Sequence, residues 1–290
     1  MADGSGQNDI RGLDIDKLLK GFADEAIIFK RFCTLSSTKS REIRWYQKTA
    51  GYLDSTDTSG ITASQGDDVA EGATPVSIGQ TFTRQTSKTR KYMFDSELIT
   101  MEDIRDTDVD ILATNIRDIV RAVARRVDAR IYTVLSTDVG NTTAAAGGGW
   151  GAAGSDPIAD ILRAKKLIRE DSYEPNGGHI LIRPSEELQL LVYLISQKGS
   201  SIPGFSSQKV KDGMVTDGLL NMGVTVSTNV TSDEAMVVTD KRAVTWKSFM
   251  PLTHVVIDFP GLGKKVRCWE EGEALVTDPN AACKITGVEV

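Results

Sequence analysis

Cysteine is scarce in this chain: Cys33, Cys268 and Cys283 are the only three in 290 residues, and no C-x-x-C pair occurs. That excludes a disulfide scaffold and removes the nucleus of a zinc site, so reduced thiols in a cytoplasmic setting are expected. Histidine is scarcer still. His179 and His254 both stand in apolar, strand-like surroundings without a neighbouring nucleophile. Asp258 follows His254 on the same face of an extended strand, but ~13 Å away, too far for acid–base work. Both read as structural histidines. No apolar run approaches the ~20 residues of a membrane helix. The sequons at Asn141 and Asn229 come without a signal-peptide pattern and read as chance matches in a soluble protein. Nucleophile elbow, P-loop and H-E-x-x-H motifs are all missing. Gly261-Leu262-Gly263 lacks the third glycine and the following helix of a dinucleotide fingerprint, and reads as a turn.

Positive charge is also in short supply. There are 34 basic against 40 acidic residues, a net charge of -6, so binding of nucleic acid by the whole surface is disfavoured. Asp106-x-Asp108-x-Asp110 matches the first three ligand positions of an EF-hand. Ile111 then stands where glycine must turn the chain, and Arg117 where a bidentate glutamate is needed. Acid before a helix is favoured by the macrodipole in any case. No metal, cofactor or catalytic residue is expected. Glu270-Glu271-x-Glu273 reads as a charged turn between strands.

What is present is architecture. Residues 1–40 read as an arm: a polar lead, then Leu13, Leu18, Leu19, Phe22, Ile27 and Ile28 in loosely helical spacing broken by Gly12 and Gly21. An arm that cannot bury its own apolar side lies on something else. Arg41 to Tyr46 has strand character. Thr49 to Thr89 is rich in Gly, Ser, Thr and Asp, a ~40-residue excursion too long for an idle loop. Ile78 to Phe94 alternates like a strand, with Lys88, Arg90, Tyr92 and Phe94 on one face. A projecting hairpin completed by another chain fits that pattern. Arg84, Lys88, Arg90 and Lys91 are its basic cluster, and Asp67, Asp68 and Glu71 its acids. Ion pairing between subunits is the preferred reading of these seven.

The strongest periodicity follows. Leu112, Ile116, Ile119, Val123, Val127, Ile131 and Val134 step by four and three, predicting a helix from Asp108 to Leu135, about 40 Å long. Thr107, with Asp110 three residues on, suits its start. Ala144 to Gly154 is a small-residue boundary. Pro157 opens a helix to about Asp171, His179 to Arg183 is a short apolar strand, and Pro184 opens a third helix. Gln197 to Gly218 is a polar loop, and only strand-like runs follow: Val224–Val226, Ala235–Thr239, Val244–Trp246, His254–Phe259, Lys265–Trp269, Ala274–Thr277 and Lys284–Val290. The class is α+β.

This order of elements resembles the major capsid proteins of tailed phages and related viruses, with the Hong Kong 97 fold. Val69 to Pro75, the strands to Phe94 and Ser96-Glu97-Leu98 resemble that family's extended loop returning to the body. Asp108 to Leu135, with Ala124-Arg125-Arg126-Val127-Asp128-Ala129-Arg130-Ile131, is similar to its spine helix. Ile180 to Pro184 and the leucine-bearing helix after it resemble its axial domain. Gly272 to Ala281 is similar to its closing peripheral strand.

The resemblance implies an arm over 1–40, an extended loop with flanking strands over 41–95 and a spine over 96–139. An axial domain over 140–249 and closing peripheral strands over 250–290 complete it. It implies a structural virion protein, assembled in the host cytoplasm. The subunit would build pentamers and hexamers of an icosahedral shell around double-stranded DNA, without cofactor or membrane. A portal is an implied partner. Because Met1 opens directly on the arm, any scaffold is expected to be a separate protein or absent, and decoration proteins are possible companions. The alternative is an encapsulin-like nanocompartment holding a cargo enzyme.

Overall fold

The computed structural model describes residues 28–50, 70–73, 81–101, 110–196 and 219–289. The expected excursion, the polar loop from Gln197, the aspartates 106 and 108 and the cap at Thr107 fall wholly or partly outside them. Among the described residues, twelve strands and three α-helices follow one another. The strands are β1 (Thr34–Ser37), β2 (Glu42–Ala50), β3 (Thr81–Lys88), β4 (Arg90–Asp95), β5 (Ile99–Thr100) and β6 (Asn141–Ala144), then β7 (His179–Ile182), β8 (Gly223–Val226), β9 (Glu234–Val238), β10 (Val244–Phe259), β11 (Gly263–Val276) and β12 (Ala282–Thr286). The helices are α1 (Asp110–Asp138), α2 (Pro157–Glu170) and α3 (Pro184–Ser196).

α1 matches the periodic stretch and continues three residues past Leu135. Its buried stripe is Ile116, Val120, Val123, Val127, Ile131 and Leu135, the spacing that puts one face of a helix against a layer. Over 29 residues it extends about 43 Å.

The first sheet, ordered β1-β10-β11-β4 with β5 on the end of β11, lies under α1. β10 and β11 are single long strands where the sequence suggests two short runs each. Pro251 explains β10: it has no N–H to give to the ladder, and the register slips between Ser248 and Thr253. Between the two strands the chain turns at Pro260–Leu262, as the glycine pattern predicts. Gly263 enters β11 at φ +154, where a Cβ would meet the carbonyl oxygen of Ile99 at 2.0 Å, so only glycine lets β5 close on the strand.

The second sheet is ordered β6-β12-β9-β7-β8, with α2 packed on β12, β6 and β9. The side chain of Asp156 caps α2 by accepting the amides of Ile158 and Ala159, with Pro157 at the first position. The last strand, β12, pairs with β6 and β9 and so leaves the segment 250–290 for the sheet formed mostly by 140–249. Both sheets share one apolar core along α1, which joins Val127 and Ile131 to Trp246 and Val266 on one side and to Leu181 and Met236 on the other. Tyr132 and Ser136 of α1 donate to Glu234 of β9, each at 2.9 Å.

β2 and β3 form a separate ribbon. The expected continuous strand from Ile78 to Phe94 is broken at Thr89, whose N–H is taken by Arg41. Lys88 therefore ends the ribbon, while Arg90, Tyr92 and Phe94 share a face of β4 in the first sheet.

Candidate functional site: the roots of the arm and the hairpin

The densest charged site lies on β11. Trp269-Glu270-Glu271-Gly272-Glu273 is not a turn but the middle of the central strand, and all three glutamates are buried. The turn expectation fails because acidic side chains remain extended when each finds a cation. Here the cations come from three distant segments. Lys30, in the short turn ahead of β1, pairs with Glu270 and stacks 4.9 Å over the ring of Trp246. Lys91 of β4 reaches Glu271 at 3.4 Å. Glu273 takes Arg130 of α1 at 2.6 Å, and Arg90 Nε approaches its other oxygen to 3.3 Å without hydrogen-bond alignment.

Burial pushes the Glu273 carboxyl above the ordinary range, against the pull of Arg130 and Arg90. Tyr92, opposite Glu270, is pushed up to about 12, first by burial and then by Glu273. Tyr92 Oη, Trp246 Nε1 and the second oxygen of Glu270 are buried without a hydrogen-bond partner among the described residues.

The arm is rooted a second time. Asp128, buried on α1, accepts the amides of Ile28 and Phe29 at 3.1 and 3.2 Å. Its carboxyl is pushed up to about 6, burial outweighing those two hydrogen bonds and Lys30. Phe29 and Phe32 are buried against Tyr132 and His179, and β1 then runs parallel to β10. The hairpin root is held by one carbonyl: Val276 O accepts both Trp45 Nε1, at 3.1 Å, and Gln47 Nε2, at 2.6 Å. Ile43 and Gln47 face the body. The alternate face of the ribbon, with Tyr46 at 64% and Phe82 at 54% exposure, faces solvent.

The seven residues expected to pair between subunits fare unequally. Asp67 and Asp68 lie outside the described residues. Glu71 sits in an exposed turn closed by Ala73 N donating to Ala70 O. Arg84 is exposed on β3 across from Tyr46, and Lys88 is exposed across from Glu42. Arg90 and Lys91 are partly drawn into their own chain by Glu273 and Glu271. Sequence reasoning missed those glutamates as sites. The available signal was alternation: Val266, Cys268 and Ala274 continue a strand through the acidic run.

Chemistry does not gather elsewhere in the described residues. His179 contacts Thr225 Oγ1 at 3.3 Å and stands 3.9 Å from Asp240, with burial lowering its pKa. Burial pushes the Cys33 thiol up, and Cys268 and Cys283 up to about 12. A groove of about 440 Å³ runs between Phe94–Ile99 and α1, past Asn115, Asp118, Ile119 and Ala122. Asp95 at its edge is already taken by Arg267. No group of three metal-binding side chains and no helix fit to cross a membrane occurs among the described residues.

Residues 81–285 match the family profile described as phage capsid protein. No curated protein sequence matches. Among solved structures, the chain is similar to the capsid of the cyanophage P-SCSP1u, at 12% identity and TM-score 0.63 over 90% of this chain and 88% of that one. A virus-like particle from Pyrococcus furiosus aligns at 9% identity and TM-score 0.61 over 93% and 96%. The capsid of Myoviridae phage XM1 aligns at 11% and 0.58 over 90% and 92%. These likenesses give the fold, that of the Hong Kong 97-like capsids.

Proposed function

Because the chain belongs to the phage capsid protein family, we propose that it is the major capsid subunit that self-assembles into pentamers and hexamers of an icosahedral shell around double-stranded DNA. Its role is structural and not catalytic. The observation that carries this reading is the pairing of firm roots with open surfaces. Arm and hairpin are fixed to β11 and α1 by buried ion pairs and hydrogen bonds, while the outward face of the ribbon carries Tyr46 and Phe82 into solvent. Anchoring of this kind is useful when a projecting segment must meet a neighbour in one orientation, and many small symmetric contacts then add up to a closed shell.

The first sheet with α1 would be the peripheral domain, and the second sheet with α2 and α3 the axial domain. Asp67, Asp68, Glu71, Arg84 and Lys88 are the candidates to face a neighbouring subunit, with the exposed parts of Arg90 and Lys91. The shell would take a portal, and separate scaffolding or decoration proteins where they are used. It would be assembled in the host cytoplasm.

The test is electron microscopy of the purified chain beside a variant lacking residues 51–80, with an Asn-Gly turn joining β2 to β3 at the Ala50–Thr81 pair. Shells from the wild type and a folded, assembly-defective variant are expected. Monomers under every salt condition for the wild type overturn the reading. Shells containing a cargo protein in place of DNA move it to a nanocompartment.

A further inference from the structure

Arg117, Arg121 and Arg125 recur every fourth residue along the solvent face of α1, and Arg126 lies beside them; all four are exposed. Their surroundings set them apart from most basic residues of the body. Arg130, Lys91, Arg163, Arg169 and Arg267 each sit on a carboxylate. Arg121, Arg125 and Arg126 make no ion pair among the described residues. In sequence the stretch 117–126 holds one acid, Asp118, inside a chain whose net charge is -6.

The fold gains no ion pair from the Arg121, Arg125 and Arg126 part of this row. It faces away from the stripe that packs on the sheets, and like charges at i and i+4 weaken a helix. Nor does the face suit a protein partner. None of the exposed large apolar residues among the described ones lies on α1, whereas protein interfaces are built around an apolar centre. What fits is a repeating anion. Guanidinium forks take phosphate oxygens in pairs. From Arg121 to Arg126 the helix rises about 7.5 Å, the axial length of roughly four charges of duplex DNA.

Resting on the shell reading above, we propose that the arginine face of α1 lines the shell interior and holds duplex DNA by its phosphates. The contact is with the backbone, so it reads no sequence. It also orients the subunit, with α1 inward and the opposite face of the first sheet outward.

The experiment is fluorescence anisotropy of the full-length chain with two unrelated 30-base-pair duplexes, between 50 and 200 mM salt. Three variants are compared with the wild type: Arg121→Ser/Arg125→Ser/Arg126→Ser, the corresponding triple Arg→Lys, and Arg84→Ser/Lys88→Ser on the ribbon. The triple serine variant is expected to flatten the slope of log K against log salt by about 2.7, at ~0.9 per phosphate contact. The effect should be equal for both duplexes. The lysine triple keeps most of the slope, and the ribbon variant is unchanged. If the serine triple does not fold, as judged by circular dichroism, each single serine variant should lower the slope by ~0.9.

Unchanged affinity and slope in the folded serine variants overturn the proposal. So does loss of shells in micrographs with duplex binding intact, which would assign the arginines to a protein contact. Absence of shells from the wild type sinks the shell reading instead, a result distinguishable from either.

Discussion

In the second sheet, the central strands β7 and β9 bury Ile180, Leu181, Ile182, Ala235, Met236, Val237 and Val238. In the first, the central strand β11 buries Glu270, Glu271 and Glu273 within five residues of Trp269. The second region keeps its buried charges on the covering helices, as with Asp160 of α2, which takes Trp150 Nε1 and the amide of Ala146. Apolar burial is nondirectional and asks only that layers meet. A buried carboxylate asks for a particular cation in a particular place, and gives little net stability in return. β11 thus selects which segments attach and how: Lys30 for the arm, Lys91 and Arg90 for the strand leaving the hairpin, Arg130 for the spine. The half of the molecule that takes up Lys30 and the strand following the ribbon is the half that carries the ionic anchor.

The comparison breaks first at Glu273. Replacing Glu273 by Ala leaves Arg130 half-buried without its partner, and should cost about 3–5 kcal/mol in denaturant unfolding. A Glu273→Leu/Arg130→Met double variant should recover most of that loss. If the single substitution costs less than about 1 kcal/mol, the anchor is not holding the first sheet.

The next effect is a pH dependence. The Asp128 carboxyl is raised to about 6 in the fold, above its unfolded value of about 3.9. Between those values the folded chain holds the proton more tightly, so this group's contribution is full below about pH 4. It is lost as pH rises through about 6, a change of roughly 2–3 kcal/mol. Unfolding of the wild type and of Asp128→Asn, followed from pH 3.5 to 7, should show their stability difference moving by that amount in the wild type's disfavour. A flat difference means the clasp on Ile28 and Phe29 does not feel the titration.

In the apolar sheet, Ile180→Val removes one methylene from a closed core without stranding a charge. About 0.5–1.5 kcal/mol is expected in the same unfolding assay. A value near that of Glu273→Ala would erase the distinction between the two sheets.

How much of this could be read in the sequence follows the same division. α1, α2, α3 and β7 were legible because periodicity, Pro157 and Pro184 are local signals. The family likeness rested on their order. β10 and β11 were read in fragments, since Pro251 and the acidic run interrupt the apolar pattern that marks a strand. The anchor was not legible at all. Lys30 and Glu270 are 240 residues apart in the chain, and nothing in either neighbourhood names the other. Arg90 and Lys91 read as basic residues needing acids, and the sequence pairs them with Asp67, Asp68 and Glu71 of the same excursion, while the acids that meet them within the chain come from a strand near its end. The ribbon was expected, yet Lys88 and Arg90 fall on different sheets because one backbone bond at Thr89 turns the chain.

The smallest effect tests whether charge or burial sets the difference. Lys166 and Glu170 of α2 pair at 3.2 Å across one helical turn, with side chains 71% and 54% exposed. Water screens both groups, and each side chain gives up rotamer freedom to hold the pair, so Glu170→Gln should cost about 0.3–0.5 kcal/mol or less. Added salt should remove even that. Chemically this is the same contact that Glu273 makes with Arg130, carboxylate to cation at close range. Only the solvent differs. If Glu170→Gln proves as costly as Glu273→Ala, ionic contact alone would govern both regions, and burial on β11 would no longer explain why arm and hairpin are rooted there. If the two costs differ about tenfold, as the exposures require, it is the removal of water that makes β11 discriminate among the segments laid against it.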